Sequence, residues 1–85
     1  MNGIFVDTGA WYALVDNDDA DHAAAAAFLA ANTIPLITTN YVFSESVTLI
    51  RYRIGIDAAR IFGEKLKESA FVRMVAVTQA DEDRA

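Results

Sequence analysis

No cysteine occurs among the 85 residues, which excludes a disulfide framework, thiolate metal ligation and thiol catalysis. Proline appears once, at Pro35, and glycine at four positions. No Pro/Gly-rich linker divides the chain, so one domain over residues 1–85 is expected. Long apolar runs are missing as well. The longest, residues 23–31, is mostly alanine, whereas a bilayer span needs about 20 predominantly apolar residues. No basic segment precedes the N-terminal apolar residues, and Ile4-Phe5-Val6 is broken off at Asp7. Neither a signal peptide nor membrane association is expected, and the cytoplasm is the expected compartment. Positive charge is scarce: seven lysines and arginines stand against twelve acids, a net charge of −5. That sign opposes long-range attraction of a polyanion. It leaves room for an enzyme whose acidic pocket captures a divalent cation, because bound metal reverses the local sign.

What is present is apolar and helix-forming. With 54% hydrophobic and 22% charged residues the chain belongs to the globular class. Its size predicts a modest core whose stability benefits from a metal or an oligomer partner. Gly3-Ile4-Phe5-Val6 reads as a buried strand ending at Asp7. Asp7 or Thr8 can cap a short helix carrying Ala10, Trp11, Ala13 and Leu14. Asp16-Asn17-Asp18-Asp19 favours turns, and residues 20–31 read as an alanine-rich helix starting at Asp19 or Asp21. Ile34-Pro35-Leu36-Ile37-Thr38 reads as a second strand with its proline near the start. Thr39 or Asn40 then caps a helix with Phe43, Val47, Ile50 and Ile54 at helical spacing, and Gly55 stops it. Asp57 caps a fourth helix with Ala59, Phe62, Leu66 and Ala70 on one stripe and Arg60, Glu64, Lys67 and Glu68 outward. Residues 71–77 form a third strand, and Thr78 to Ala85 carries the acidic signature of a further helix start.

This alternation implies an α/β fold, a three-stranded parallel sheet flanked by helices on both faces. The chain ends where such a fold adds another helix and strand, so an incomplete domain is expected. In open parallel sheets, functional groups gather beyond the carboxyl ends of the strands. Asp7 sits at one such end. Glu45, in the first two turns after the second strand, can lean over the same edge. Paired carboxylates suit a hard cation such as Mg²⁺ or Mn²⁺. Tyr41, Glu45, Thr48 and Tyr52, spaced by four, three and four, form one polar and aromatic helix face. Residue by residue, the commoner roles are a solvated helix glutamate for Glu45 and a simple cap for Asp7.

Three segments together carry more. Ile4-Phe5-Val6-Asp7-Thr8-Gly9-Ala10-Trp11-Tyr12-Ala13-Leu14 resembles the opening of PIN-domain proteins of the VapC toxin type. Asp21-His22 before the alanine-rich helix, and Thr38-Thr39-Asn40-Tyr41-Val42-Phe43-Ser44-Glu45 before the longer one, match that family in order and spacing. The resemblance implies an α/β/α sandwich and a Mg²⁺- or Mn²⁺-dependent endoribonuclease. Asp7 and Glu45 would be its catalytic, metal-coordinating acids, and Thr8 would assist near the first. It also implies an RNA substrate, an antitoxin partner and self-association. The family's further C-terminal aspartates have no counterpart, since Asp81, Glu82 and Asp83 fit a preceding helix start, so weak metal binding and weak or absent activity are expected. His22 is read as a packing or capping residue. The rival class is a non-catalytic PIN-like remnant acting as an interaction or oligomerisation module. A receiver-like phosphoacceptor needs an aspartate where Thr78-Gln79 stands, and a haloacid-dehalogenase-like phosphatase needs one at Gly9; neither pattern is met.

Overall fold

The computed structural model describes residues 3–78. The helix start read in the last residues lies outside them. The elements are β1 (Ile4–Phe5), α1 (Thr8–Val15), α2 (His22–Ala31), β2 (Leu36–Thr39), α3 (Asn40–Arg53), α4 (Ile56–Glu68) and β3 (Val72–Val75). Three parallel strands in the order β1-β2-β3 make the sheet, so the α/β reading holds. The short β1 is anchored by Ile4 N–H donating to the Pro35 carbonyl and Val6 N–H to that of Ile37, each at 2.9 Å.

Both strand-to-helix junctions are built in the same way. Asp7 is the N-cap of α1, its Oδ1 accepting from Ala10 N at 2.9 Å. Thr39 is the N-cap of α3, its Oγ1 accepting from Val42 N at 3.1 Å. Each cap satisfies an orphan N–H where its strand ends, so α1 and α3 start side by side at one edge of the sheet. At the far end of α3, Gly55 has a φ of 146°, the one positive φ among the described residues, a conformation glycine adopts without Cβ strain. Gly55 is also the N-cap of α4. Asp57 therefore sits in the first turn of α4, where its charge favours the helix dipole, and not at the cap position expected for it. Ala70 lies past the end of α4 and is exposed.

In parallel register Ile4, Leu36 and Val72 share one face with Thr38, while Phe5, Ile37 and Arg73 share the other. The first face meets the core: Leu36, Thr38, Trp11, Ile50, Ala59 and Phe62 are buried together. Ring edges add specificity, Trp11 meeting Phe62 at 5.9 Å and Phe43 stacking on Phe62 at 6.2 Å between centroids. On the second face Phe5 is 56% and Val75 37% exposed. A strand order without reversal sends both right-handed crossovers to the same side. The two-sided helical cover implied by the alternation is therefore seen on one side among the described residues.

Candidate functional site

At the carboxyl edge of the sheet the structure ties Thr8 to Glu45 by a direct hydrogen bond, and Asp7 immediately precedes Thr8 in the chain. Asp7 follows β1 and is exposed, with one carboxylate oxygen engaged by its cap. Thr8, in the first turn of α1, donates its hydroxyl to Glu45 Oε1 at 2.5 Å. Glu45, exposed on α3, is thereby held against the residue next to Asp7, although 37 positions separate the bonded pair. The hydroxyl fixes one oxygen of Glu45, and among the described residues no donor is bonded to the second. This donor set, two carboxylates and a hydroxyl, is all oxygen and matches what Mg²⁺ and Mn²⁺ prefer. Mg²⁺ is commonly held by one or two carboxylates with waters and substrate oxygens completing the shell. Among the described residues, no group of three or more His, Asp or Glu side chains could hold a metal ion.

A second contact carries the α1–α3 seam away from the rim. The Arg53 guanidinium lies 5.4 Å from the centroid of the Tyr12 ring, so Thr8 meets Glu45 and, further along both helices, Tyr12 meets Arg53. Asp7, Tyr12, Leu49 and Arg53 line one open groove of about 810 Å³. Two residues had no signal pointing to their roles. Asn40, read only as an alternative cap, receives Val77 N–H on its Oδ1 at 2.7 Å and donates Nδ2–H to the Val77 carbonyl at 3.3 Å. It fastens the exit of β3 to the start of α3, and its partner is backbone, which leaves no trace in residue types. Tyr12 is the other. Its hydroxyl donates to Asp16 Oδ2 at 2.5 Å. His22 has the structural role read for it, its Nδ1 donating to the Ala13 carbonyl at 2.7 Å.

The Tyr12 hydroxyl, then the Asp18 N–H and the charges of His22 and Arg53, hold the Asp16 carboxyl below its usual range despite some desolvation. The same hydrogen bond, with burial and the Asp16 charge, pushes the Tyr12 phenol up against the opposing pull of Arg53. A depressed acid stabilises the fold above its unfolded pKa, and the contribution is lost as pH falls through the folded value. A raised phenol stabilises below its unfolded pKa of about 10 and loses this as pH rises through the folded value. The urea-midpoint difference between wild type and Tyr12→Phe is therefore expected to stay flat from pH 6 to 9 and to shrink below about pH 4. A difference that holds constant down to pH 2.5 would show that the pair is not coupled to folding.

With this geometry in place, the comparisons define the class. The PIN domain pattern matches residues 4–85, and the chain belongs to the PIN-domain family, in its VapC-like branch. Among its relatives is the 23S rRNA-specific endonuclease VapC20 of Mycobacterium tuberculosis, strains CDC 1551 / Oshkosh and ATCC 25618 / H37Rv. Each is 37% identical over 82 residues, which cover 96% of this chain and 62% of the relative. The crystal structure of Mycobacterium tuberculosis VapC20, titled a Sarcin-Ricin loop cleaving toxin, superposes with a TM-score of 0.86 at 34% identity. That match covers 95% of this chain and 62% of that one. The chain thus spans less than two thirds of the length of these relatives.

Proposed function

We propose that this chain carries part of the active site of a VapC-type endoribonuclease that hydrolyses an RNA phosphodiester with a divalent cation held by Asp7 and Glu45. The observation that carries this reading is the hydrogen bond from Thr8 to Glu45, which draws two distant acidic segments to one rim. When bound there, Mg²⁺ or Mn²⁺ would lower the pKa of a water and neutralise charge on the phosphate. The protein's own residues do the rest. Thr8 sets the rotamer of Glu45, and the cap bond to Ala10 N sets that of Asp7. The N-termini of α1 and α3 direct partial positive charge towards the same edge, which favours a phosphate oxygen. In a chain of net charge −5 these local features, with the cation, must supply the attraction for RNA. The substrate class proposed from the relatives is a ribosomal RNA loop.

Adding Mn²⁺ to the purified chain is expected to give saturable heat in calorimetry and cleavage of a loop-containing RNA that EDTA abolishes and excess Mn²⁺ restores. Cleavage unchanged by EDTA, or none at saturating Mn²⁺, would sink the reading.

One feature favours a second reading, that of an interaction module. The helix His22-Ala-Ala-Ala-Ala-Ala-Phe-Leu-Ala-Ala contains no buried residue although it is apolar on all sides, with Phe28 49% and Leu29 41% exposed. A helix of that composition is normally covered. On its flank a groove of about 620 Å³ between α1, α2 and α4 is lined by Trp11, Leu14, Leu29, Ile61 and Phe62. β1 is an edge strand in the described sheet, a further invitation to another chain. The partners proposed are an antitoxin and a second copy of the chain. A light-scattering mass of one chain at micromolar concentration would exclude the second copy.

A further inference from the structure

The exposed face of α3 continues past Glu45 to a tyrosine that packs against little of the fold. Tyr52 is 89% exposed, the most exposed of the large apolar and aromatic side chains among the described residues. It lies seven positions beyond Glu45 on the face that also holds Tyr41 and Thr48. At 1.5 Å per residue that is about 10 Å along the helix axis. Arg51 and Arg53 are its neighbours in the last turn, emerging about 100° to either side of it. Both are exposed, and among the described residues neither has a carboxylate within ion-pair distance, the ion pair there being Arg60 with Glu64. Two arginines at a helix C-terminus complement its dipole, but that does not account for a bare aromatic ring between them. Arg53 is held by the ring of Tyr12 and lines the groove that also contains Asp7, so the acidic rim and the arginine belong to one continuous surface.

We propose that the last turn of α3 is an RNA contact in which Tyr52 stacks on an unpaired base and Arg51 and Arg53 hold the flanking phosphates. The inference rests on the nuclease reading and adds to it a preference for unpaired bases near the scissile position. An aromatic ring accepts any base through its π-face, and guanidinium groups suit phosphate geometry. Against a net charge of −5, an exposed aromatic between two cations is the chemistry that single-stranded nucleic acid fits, because stacking does not require a positive field over the whole molecule. A protein partner for the same patch would have to bring acids to the arginines. That alternative is an outcome of the test.

The test measures the anisotropy of a labelled hairpin-loop RNA and of a fully paired duplex, with Ca²⁺ in place of Mg²⁺ and the RNA checked to be intact. Tyr52→Ala is expected to weaken loop binding about 5- to 150-fold, the effect of losing one base stack, with duplex binding little changed. Tyr52→Phe keeps the ring and should restore loop binding, and Tyr52→Leu should not. Thermal melting should be the same for all three, since an exposed side chain is altered. Loop binding by Tyr52→Ala equal to wild type overturns the proposal. So does loss of self-association in Tyr52→Ala without loss of RNA binding, which would assign the patch to a second copy. Tyr52-dependent binding without Mn²⁺-dependent cleavage would sustain this inference and remove the nuclease reading, while cleavage with Tyr52-independent binding would do the reverse.

Discussion

Asp7→Asn is expected to reduce Mn²⁺-dependent RNA cleavage about 100- to 1,000-fold, the usual scale for one electrostatic group lost from a reacting centre. Its unfolding free energy should stay within about 0.5 kcal/mol of wild type. The two parts separate because Asp7 does two jobs. As the N-cap of α1 it accepts the Ala10 N–H, and asparagine caps as well as aspartate does. As a proposed ligand it supplies a charge that an amide lacks. Asp7→Ala removes both functions and should add a loss of about 1 kcal/mol in stability. Glu45→Gln is the matched partner: its amide oxygen still accepts from Thr8, so the helix-to-helix bond survives while the charge is lost. Thr8→Val tests the positioning itself. It leaves both carboxylates but frees Glu45, so a fall of about tenfold in cleavage with weaker Mn²⁺ binding is expected. Asp7→Asn cleaving within threefold of wild type would remove Asp7 from the reaction. An equal loss in Glu45→Gln and in an exposed control such as Glu64→Gln, whose partner is the surface residue Arg60, would show that charge alone matters and the rim does not.

The meeting of the start of α1 with α3, through Thr8 and Glu45, was legible because it follows from topology. Once three apolar strands are read as parallel, every strand end and every following helix start falls on one edge, and an acid at each is close to another without any pair being named. Asp7, Thr39 and Gly55 could be read for a similar reason, since caps and stops depend on local chemistry that the residue type carries. The choices left open, Asp7 or Thr8 and Thr39 or Asn40, closed on the residue whose side chain reaches back to the N–H three positions on. Asp57 misled because Gly55, two residues earlier, accepts a backbone conformation that no other described residue adopts.

Roles set by tertiary contact were not legible. Asn40 is an ordinary junction residue until the exit of β3 arrives beside it, and Val77 contributes only backbone to that meeting. Arg53 over Tyr12, and Tyr12 on Asp16, join residues whose spacing says nothing of which helix will lie alongside. The alanine-rich helix shows a different limit. Its composition identified it as a helix, but a segment apolar on every side has no polar face by which to tell the buried side, and here no residue of it is buried.

Trp11→Ala is expected to leave the chain largely unfolded at 25 °C, because its cost approaches the whole stability of a domain this size. Trp11 is 2% exposed and meets Phe62 edge-on at 5.9 Å. Truncating a buried tryptophan costs about 3–5 kcal/mol through lost transfer and the cavity left behind. The fold has only about 4–13 kcal/mol in total at 0.05–0.15 kcal/mol per residue. Its indole N–H also donates to Thr38 Oγ1 at 3.3 Å, and Thr38 is fully buried, so alanine would leave that hydroxyl without its donor at a further cost of about 1–3 kcal/mol. A cycle separates the two effects. Thr38→Val should destabilise by about 1–3 kcal/mol, since the N–H is then buried without an acceptor. Trp11→Phe together with Thr38→Val removes both polar partners and should be less destabilised than the sum of the two single variants, which a pair of urea titrations followed by far-UV circular dichroism can measure. Strict additivity would mean that the indole–hydroxyl bond to β2 contributes nothing and that apolar packing, including the contact with Phe62 of α4, holds α1 in the core. In that case the position of Asp7, at the start of the same helix, would depend on that packing and not on the polar bond.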